Sequence, residues 1–326
     1  MIIAIIGSTG LVGSEIIKIL EEKKIKKLET VLFVSSKSSV GKKIKYKNKF
    51  QKIISIKKAL KKNPNYALFS AGSKIALKHA KEFTNKGAVV IDNSSAFRMN
   101  KNIKLIVPEI NGNTISKKDK IISNPNCSTT QLVMAIYPIH KKSPIKRLVV
   151  STYQAVTGTG ILAVKQLENE EQHKIGLKKV YKEGIYRNVI PKCDEFNQDG
   201  YTKEEQKIIN ETNKILNSNI QITATAVRTP TIGGHGESVN IEFKKPTKIK
   251  KIISLLKKQK GVIIQQNKKY KTPKDVCGKN EVFVSRIRKD NSVKNGINMW
   301  IVADPLRKGA ATNSIQILEL LINKHR

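Results

Sequence analysis

The feature that most constrains the fold is an N-terminal succession of an apolar segment, a glycine-rich turn and a helical segment. Residues 1–6 (MIIAII) have the length and composition of a buried strand, and residues 7–13 (GSTGLVG) follow directly. Residues 14–20 then repeat apolar side chains with the period of a helix. Because glycine lets a ligand approach the backbone and a helix N-terminus attracts an anion, this G-x-x-G-x-x-G unit predicts a site for a dinucleotide pyrophosphate.

Short apolar segments continue to alternate with helical ones as far as residue 122. Strands are predicted over 31–34, 66–70, 88–91, 107–110 and 121–122, and a helix over 74–82. This alternation is typical of a parallel sheet, which binds ligands at the carboxyl ends of its strands. Arg98 follows one of those ends, so it is interpreted either as a clamp for an anionic substrate or as a surface arginine.

The end of the second predicted strand indicates which dinucleotide binds. A site for NAD has an acidic residue there, which holds the ribose 2′-hydroxyl. This chain instead has residues 35–39 (SSKSS), with Lys42 just beyond. Hydroxyl and ammonium groups suit a 2′-phosphate, so we predict NADP as the cofactor. A polar loop with an incidental lysine is the alternative.

Cys127 lies where a turn is followed by a helix. Residues 124–126 (NPN) are a turn signal, and residues 128–136 (STTQLVMAI) begin an apolar run of helical length. In the first helical turn, unpaired amides and the positive end of the dipole favour a thiolate, which is the nucleophilic form. The same amides and the Asn126 side chain are expected to stabilise an oxyanion beside the sulfur. A small buried cysteine is the alternative.

Longer strands are predicted after Cys127. They cover 148–156, 220–228, 238–243, 281–288 and 296–302, with helices over 162–182, 202–216 and 315–322. The last helix is expected to return to the first domain. Gln154 is interpreted as a ligand for a substrate carbonyl or carboxylate, or as a strand-edge glutamine. Glu204 and Lys207 lie three residues apart on one helical face, which suits either a ligand carrying both signs or a solvated ion pair.

His235 is the second candidate for catalysis. It lies within residues 233–236 (GGHG), where we expect a loop that gives the ring no apolar face to pack on. A cysteine with a free-standing histidine is the arrangement for nucleophilic catalysis with general acid–base assistance. The remaining histidines, in helix-like or terminal settings, are interpreted as structural: His79, His140, His173 and His325.

Composition limits the other classes of function. A net charge of +37 would attract nucleic acid, but the lysines are spread along the chain and only 5% of residues are aromatic, so no specific nucleic-acid site is expected. No apolar stretch approaches the roughly 18 residues of a membrane span, and no signal peptide is expected. Cys127, Cys193 and Cys277 lack the spacing of a disulfide framework or zinc site, so we expect no metal and a cytoplasmic location.

These segments together resemble the aspartate-β-semialdehyde dehydrogenases, in particular the branch found in Gram-positive bacteria and related lineages. The similarity runs nearly from end to end. It is carried by residues 7–13, 68–73 (LFSAGS), 107–109 (VPE), 124–129 (NPNCST), 151–156 (STYQAV), 308–311 (KGAA) and the spacing from Arg228 to His235. The cysteine motif with the YQAV strand is the most specific part, whereas the glycine turn alone is not specific.

The resemblance implies an α/β fold in three sections. A Rossmann-like, parallel-sheet dinucleotide-binding domain covers 1–126, an α+β catalytic and dimerisation domain with a mixed sheet covers 127–306, and a C-terminal helix over 307–326 returns to the first domain. It also implies a homodimer or homotetramer. The implied activity is the NADP-dependent interconversion of L-aspartyl-4-phosphate and L-aspartate-4-semialdehyde, which supplies lysine, threonine and methionine synthesis.

The resemblance also implies roles for individual residues. Cys127 attacks the acyl phosphate and forms a thioester, His235 acts as general acid–base, and Gln154 orients the acyl group. The implied substrate ligands are Arg228 for the α-carboxylate, Glu204 for the amino group, and Arg98, Asn126 and Lys207 for the phosphate. The implied NADP contacts are Gly7, Thr9, Gly10, Leu11, Val12, Ser35, Ser36, Lys37, Ala71, Gly72, Thr157, Gly158, Pro191 and Pro305.

Two related enzymes and one unrelated class are the alternatives. N-acetyl-γ-glutamyl-phosphate reductase shares the fold and the Cys/His chemistry, but the NPNCST context of Cys127 disfavours it. Glyceraldehyde-phosphate dehydrogenase is disfavoured because the second strand does not end in an acidic residue. A basic nucleic-acid-binding protein would need its positive charge gathered on one face.

Overall fold

The structure is a computed structural model of the 326-residue chain and describes residues 1–23, 25, 27–174 and 179–324. The chain divides into two compact units. The first unit comprises Met1–Pro125 and Ala310–Arg326, and the second comprises Asn126–Gly309. The divisions predicted from sequence fall after residues 126 and 306.

The first unit contains a parallel sheet with helices on both faces. Numbered along the whole chain, its strands are β1 (Ile2–Ile6), β2 (Thr30–Val34), β3 (Lys43–Tyr46), β4 (Lys49–Lys52), β5 (Tyr66–Phe69), β6 (Val89–Asp92), β7 (Lys104–Leu105) and β8 (Ile121–Ser123). Its helices are α1 (Leu11–Glu22), α2 (Ile56–Leu60), α3 (Ser73–Asn85), α4 (Pro108–Asn111) and α9 (Thr312–Lys324). Among the described residues, six strands pair in parallel in the order β2-β1-β5-β6-β8-β7, and β3 and β4 form a separate hairpin.

Alternation along β1 explains why both sheet faces are covered. Ile3 and Ile5 belong to a buried cluster with residues of α1 and α9, whereas Ala4 and Ile6 belong to a second cluster with residues of α3. Successive side chains of a strand point to opposite faces, so an unbroken apolar strand requires helices on both sides. Helix α9 packs against α1, α4 and β6 within this unit, and Lys23 forms an ion pair with Glu319 at 2.8 Å.

The strand predicted over 107–110 is wrong. Strand β7 ends at Leu105, and Val107 is instead the residue that precedes helix α4. Pro108 occupies the first helical position, where its missing amide N–H costs nothing and its fixed φ suits the helix. Glu109 in the first turn adds a favourable interaction with the helix dipole. The apolar residues of this segment thus continue into a helix rather than a strand.

The second unit contains a mixed sheet with helices packed against it. Its strands are β9 (Ile145–Gln154), β10 (Gln221–Arg228), β11 (His235–Phe243), β12 (Val262–Ile264), β13 (Val282–Asp290) and β14 (Gly296–Ala303). Its helices are α5 (Cys127–Lys142), α6 (Ile161–Glu171), α7 (Lys203–Leu216) and α8 (Ile249–Lys258). Within the described segments the strand order is β10-β9-β11-β14-β13-β12, with β10/β9 and β12/β13 parallel and the other pairs antiparallel. The predicted combination of a Rossmann-like parallel sheet and a mixed-sheet domain is confirmed.

Two predicted elements of the second unit have different bounds in the structure. The helix predicted over 162–182 stops at Glu171, and His173 has a φ of 54°, which no α-helix continues through. Residues 175–178 of that prediction, like His325, lie outside the described residues. Strand β11 starts at His235 rather than at residue 238. None of the helices in the described part of the chain is long and apolar enough to cross a bilayer.

Candidate active site

The glycine turn after β1 is shaped by close backbone contacts within the first unit. Gly7 has a φ of +92°, and a Cβ built on it would lie 2.8 Å from the Ser70 backbone. A Cβ on Gly13 would overlap the Gly7 carbonyl group. Gly10 precedes helix α1 and has no side chain to cap it, so the first amides of the helix remain available to an anion. Packing therefore requires glycine at positions 7 and 13. The turn as a whole fits a pyrophosphate.

Hydroxyl groups lie beside this turn at the end of β2. The Ser35 hydroxyl hydrogen-bonds to those of Ser8 and Thr9 at 3.1 and 3.2 Å, and Lys37 begins a short 3₁₀ turn. Gly72, with a φ of +83°, precedes helix α3. The carboxyl ends of β1, β2 and β5 thus bring together these predicted NADP contacts: Gly7, Thr9, Gly10, Leu11, Val12, Ser35, Ser36, Lys37, Ala71 and Gly72. The other four, Thr157, Gly158, Pro191 and Pro305, belong to the second unit.

Arg98 is buried in the first unit, so the surface-arginine alternative is wrong. It is 7% exposed, and its Nε donates to the Asn124 carbonyl at 2.9 Å. Its Nη2 donates to the Asn93 carbonyl at 2.7 Å. The guanidinium therefore joins the loops that follow β6 and β8. Its role as an anion clamp stays a prediction.

In the second unit, Asn126 caps the helix that begins with Cys127. Its Oδ1 accepts hydrogen bonds from the Ser128 and Thr129 amides at 3.0 and 3.2 Å. The cap occupies both of these amides, but the Cys127 amide is not part of it, so stabilisation of an oxyanion at this helix end stays a prediction. Cys127 itself is half-buried, which excludes the alternative of a core cysteine. A Cβ on Gly309 would lie 2.8 Å from the Cys127 Cβ, so only glycine fits beside it.

Glu204 forms the charged centre of the site. Its Oε1 accepts from Asn126 Nδ2 at 2.9 Å and from Gln154 Nε2 at 3.0 Å, and its Oε2 lies 3.1 Å from Lys207 Nζ. Burial alone would raise the pKa of Glu204, but Lys207 and these hydrogen bonds outweigh it and lower the pKa to about 2. Lys207 also pairs with Asp194 at 2.7 Å. The predicted ion pair thus forms, but around a buried carboxylate rather than on a solvated face.

Gln154 presents an acceptor rather than a donor. Its Nε2 donates to both Ser128 Oγ, at 2.6 Å, and Glu204, while its buried Oε1 has no hydrogen-bond partner among the described residues. Rotating the amide would place Oε1 against the Glu204 carboxylate, so that contact fixes the orientation. Ser128 and Glu204 thus engage the Nε2 hydrogens, and the predicted contact of Gln154 with a substrate carbonyl or carboxylate, with the orienting of the acyl group, stays a prediction.

Arg228 and His235 meet at one residue, Ala155. Arg228 ends β10 and donates from Nη1 to the Ala155 carbonyl at 2.8 Å. The Ala155 amide donates to His235 Nδ1 at 3.1 Å. His235 is 1% exposed and begins β11, so the expected loop without packing is wrong. Burial, reinforced by the Arg228 cation, lowers the pKa of His235 to about 3.

Sequence reasoning missed several side chains around this site. Glu211, two helical turns after Glu204, accepts from the Asn126 backbone amide at 2.7 Å, and that spacing was a usable signal. Gln131, one turn after Cys127, donates to the His235 carbonyl at 3.1 Å. Glu237, two residues after His235, is fully buried, and burial raises its pKa well above the usual range. The described residues contain no group of three or more His, Cys, Asp or Glu able to hold a metal.

Comparison with known proteins adds a family context to this geometry. A family model described as semialdehyde dehydrogenase, NAD binding domain matches residues 2–118, and one described as semialdehyde dehydrogenase, dimerisation domain matches residues 136–308. The chain is 44% identical to aspartate-semialdehyde dehydrogenase of Aquifex aeolicus, over 99% of this chain and 98% of the relative. It is 42% identical to that of Bacillus subtilis, over 98% and 96%. A crystal structure of aspartate semialdehyde dehydrogenase II from Vibrio cholerae, complexed with ASA, superposes with a TM-score of 0.95 at 36% identity, covering 100% of this chain and 99% of that one.

Proposed function

Because the chain belongs to the aspartate-semialdehyde dehydrogenase family, we propose that it reduces L-aspartyl-4-phosphate to L-aspartate-4-semialdehyde and phosphate with NADPH. The product supplies lysine, threonine and methionine synthesis. The observation that carries this proposal is 44% identity over 99% of the chain. The relatives that match are aspartate-semialdehyde dehydrogenases, which favours this activity over N-acetyl-γ-glutamyl-phosphate reduction.

Cys127 is the nucleophile of the proposed reaction. As the first residue of α5 it lies at the positive end of the helix dipole, which favours the thiolate. The thiolate attacks the acyl carbon, phosphate leaves, and a thioester remains on the sulfur. NADPH, when bound, supplies the hydride that reduces this thioester. In the first unit, the glycine turn and the Ser35–Lys37 segment support NADP binding, because they combine open amides, hydroxyls and a cation.

Glu204 and Arg228 suit the two charges at the amino-acid end of the substrate. Glu204 is held ionised inside the protein, so it can bind an ammonium group. The Arg228 guanidinium is buried and its Nε has no hydrogen-bond partner among the described residues, so it can bind the α-carboxylate. Gln154 Oε1 faces no donor, and we infer that it assists Glu204 in accepting from the ammonium group.

Phosphate binding by Arg98, Asn126 and Lys207 stays a prediction. Lys207 remains a cation, because Glu204 and Asp194 raise its pKa against the effect of burial. Asn126 donates one of its two Nδ2 hydrogens to Glu204, which leaves the second for a phosphate oxygen, and it also caps the helix that carries Cys127. Measuring the KM for phosphate in the reverse reaction of Lys207→Met tests the direct role of the lysine, which an unchanged KM would contradict.

A homodimer is the assembly that the second unit supports. One face of its sheet carries a cavity of about 370 Å³ lined by residues that include Tyr153, Tyr270 and Trp300. Tyr153 is 39% and Tyr270 58% exposed, which is unusual for aromatic side chains that have no partner surface. Light scattering that shows a monomer would contradict this assembly; a tetramer would extend it. A cytoplasmic location and the lack of a specific nucleic-acid site stay predictions, to be tested by cell fractionation and by salt-dependent retention on DNA.

Replacing the proposed nucleophile gives the most direct test. Cys127→Ala should abolish the reduction of NADP by aspartate semialdehyde plus phosphate, because no thioester can form, while NADP binding measured by fluorescence titration persists. Cys277→Ala is the matched control, since Cys277 is exposed and outside the site, and it should retain activity. Turnover by Cys127→Ala would remove the cysteine from the mechanism. Preference of the wild type for N-acetyl-glutamate semialdehyde would overturn the substrate assignment.

A further inference from the structure

The guanidinium of Arg98 is held by two main-chain carbonyls. Its Nε donates to the Asn124 carbonyl at 2.9 Å, and its Nη2 donates to the Asn93 carbonyl at 2.7 Å. Two bonds to one planar group fix both its position and the direction in which its donors point. Asn93 follows the last residue of β6 and Asn124 the last residue of β8, and these two strands are neighbours in the parallel sheet. Arg98 is therefore fixed at the carboxyl edge of that sheet, where folds of this class bind ligands.

Helix α9 holds both of the residues that supply these carbonyls. Asn313 Nδ2 donates to Asn124 Oδ1 at 2.7 Å, and Ser314 Oγ donates to Asn93 Oδ1 at 2.6 Å. Ser314 Oγ lies farther, at 3.0 Å, from the Ala310 carbonyl, so its single proton favours Asn93. Two successive residues in the first turn of α9 thus reach the two residues that orient Arg98.

Further contacts fix the orientation of the two amide side chains involved. Asn313 Nδ2 also donates to the Ile106 carbonyl at 2.9 Å, so turning this amide over would place oxygen against oxygen. Asn93 Nδ2 donates to the Phe69 carbonyl at 2.9 Å, which leaves its Oδ1 facing Ser314. The connection from α9 to the guanidinium therefore has one arrangement, and changing it would break at least one buried hydrogen bond.

Packing of α9 does not by itself explain these polar residues. Asn313 and Ser314 are both 0% exposed, and the buried residues that follow them on the helix are apolar: Ile315, Ile317, Leu318 and Leu321. Burying a polar group costs free energy unless its hydrogen bonds are made, and alanine favours a helix more than asparagine or serine does. The contacts with the loops after β6 and β8 are what these two residue types add.

We propose that Asn313 and Ser314 are positioning residues for Arg98, and that helix α9 thereby sets the affinity of the enzyme for the phosphate group. Each side chain holds a residue whose carbonyl holds the guanidinium, so both act through Arg98. The proposal rests on the proposed function, in which Arg98 binds phosphate. A guanidinium that is already oriented loses less freedom when it binds the anion, so the contribution of α9 is to phosphate binding.

Nuclear magnetic resonance of the full-length protein tests the positioning without depending on turnover. In wild type labelled with ¹⁵N-arginine, the Nε–H of Arg98 should exchange slowly with solvent, because it is buried and hydrogen-bonded. The signal is assigned by its loss in Arg98→Lys. Asn313→Ala and Ser314→Ala should each speed this exchange about 3- to 10-fold, as expected for the loss of one hydrogen bond. Unchanged exchange in both variants would overturn the proposal.

Steady-state kinetics in the direction that consumes phosphate tests the effect on binding. Ser314→Ala should raise the KM for phosphate about 3- to 10-fold, and should leave the KM values for aspartate semialdehyde and NADP within about twofold of wild type. Gln316→Ala is the matched control. Gln316 Nε2 donates to Glu109 Oε1 at 2.9 Å, so this variant loses a hydrogen bond of the same helix that does not lead to Arg98. An equal rise in all three constants, or the same rise in the control, would contradict the positioning role.

The two measurements separate two kinds of failure. If the wild type does not turn over aspartate semialdehyde with phosphate, the proposed function is wrong, and the exchange measurement still decides whether α9 positions Arg98. If Asn313→Ala does not fold, Ser314→Ala decides, since it removes a single oxygen atom from a buried side chain. Wild-type exchange in a folded Ser314→Ala would then overturn the proposal.

Discussion

Two carboxyl groups in the second unit, those of Glu204 and Glu237, are both buried yet have opposite environments. Around Glu204, both oxygens have partners, which are Asn126, Gln154 and Lys207. Around Glu237, neither oxygen has a hydrogen-bond partner among the described residues. The pKa of Glu204 is accordingly lowered to about 2, and that of Glu237 is raised well above its usual range. Burial sets the cost of the charge, and the partners decide whether the charge is kept.

The residues around Glu237 explain why the pKa of its carboxyl group is raised. Its register neighbours are Thr152 on β9 and Ile301 on β14, and neither brings a positive charge. The Gln131 amide lies beside it and lowers its pKa, but by less than burial raises it. Gln131 donates to the His235 carbonyl, so its amide is not devoted to Glu237. The strand neighbours of Glu237 on β9 and β14 therefore bring no charge that would favour its ionised form.

Matched leucine substitutions should separate the two regions most strongly. Glu204→Leu leaves the buried donors of Asn126 and Gln154 without an acceptor, so it should lower the free energy of unfolding by about 2–5 kcal/mol. Glu237→Leu removes a buried acid that has no partner of its own and should change stability by less than about 1 kcal/mol, or increase it. Urea unfolding at neutral pH measures both. Similar losses in the two variants would show that partners do not distinguish the two carboxyl groups.

The pH dependence of stability should differ in sign between the two groups. The folded-state pKa of Glu204 is depressed, so its contribution is complete above about pH 4.5 and is lost as the pH falls towards about 2, a total of about 3 kcal/mol. The pKa of Glu237 is raised, so its contribution is complete below the unfolded-state pKa and is lost as the pH rises above it.

Glutamine substitutions measured from acid to neutral pH test these signs. Relative to wild type, Glu204→Gln should be increasingly destabilised as the pH rises out of the acid range. Glu237→Gln should be increasingly stabilised as the pH rises above about 4.3, the ordinary pKa of glutamate. Subtracting the wild-type curve removes groups common to both, including His235. Parallel curves for the two variants would refute the contrast.

The smallest loss of stability is expected for Asp194, the partner of Lys207 that lies farthest from Glu204 in this set of contacts and is partly exposed. Asp194 pairs with Lys207 at 2.7 Å, but its side chain is 35% exposed. Asp194→Asn should therefore lower the free energy of unfolding by only about 0.2–1 kcal/mol, since solvent screens the pair and Glu204 still holds the lysine. A loss as large as that of Glu204→Leu would mean that Asp194, rather than the buried network, fixes the lysine.

The sequence was most informative where the structural signals are local. The strand–glycine–helix unit and the helix that begins at Cys127 depend on neighbouring residues, and both are present. Val107–Ile110 misled because an apolar run containing proline suits a strand edge as well as a first helical turn. Local signals therefore predict elements well where one conformation clearly suits the residue types.

The site required contacts between distant segments, which the sequence does not display. The glycines around His235 indicated a loop, yet a Cβ on Gly236 would overlap the Trp300 ring, so that glycine makes room for a side chain on β14. The orientation of the Gln154 amide depends on Glu204, fifty residues away. The buried state of Glu237 likewise has no signal in its neighbours. Residue types were thus predictable, whereas hydrogen-bond directions and charge states were not.

The two hydrogen bonds at Ala155 have a consequence for how this enzyme can vary. Both the imidazole and the guanidinium are anchored to main-chain atoms, which every amino acid except proline supplies in full. A change of the side chain at position 155 therefore leaves these two hydrogen bonds in place. Only Ala155→Pro would detach the ring while sparing the arginine.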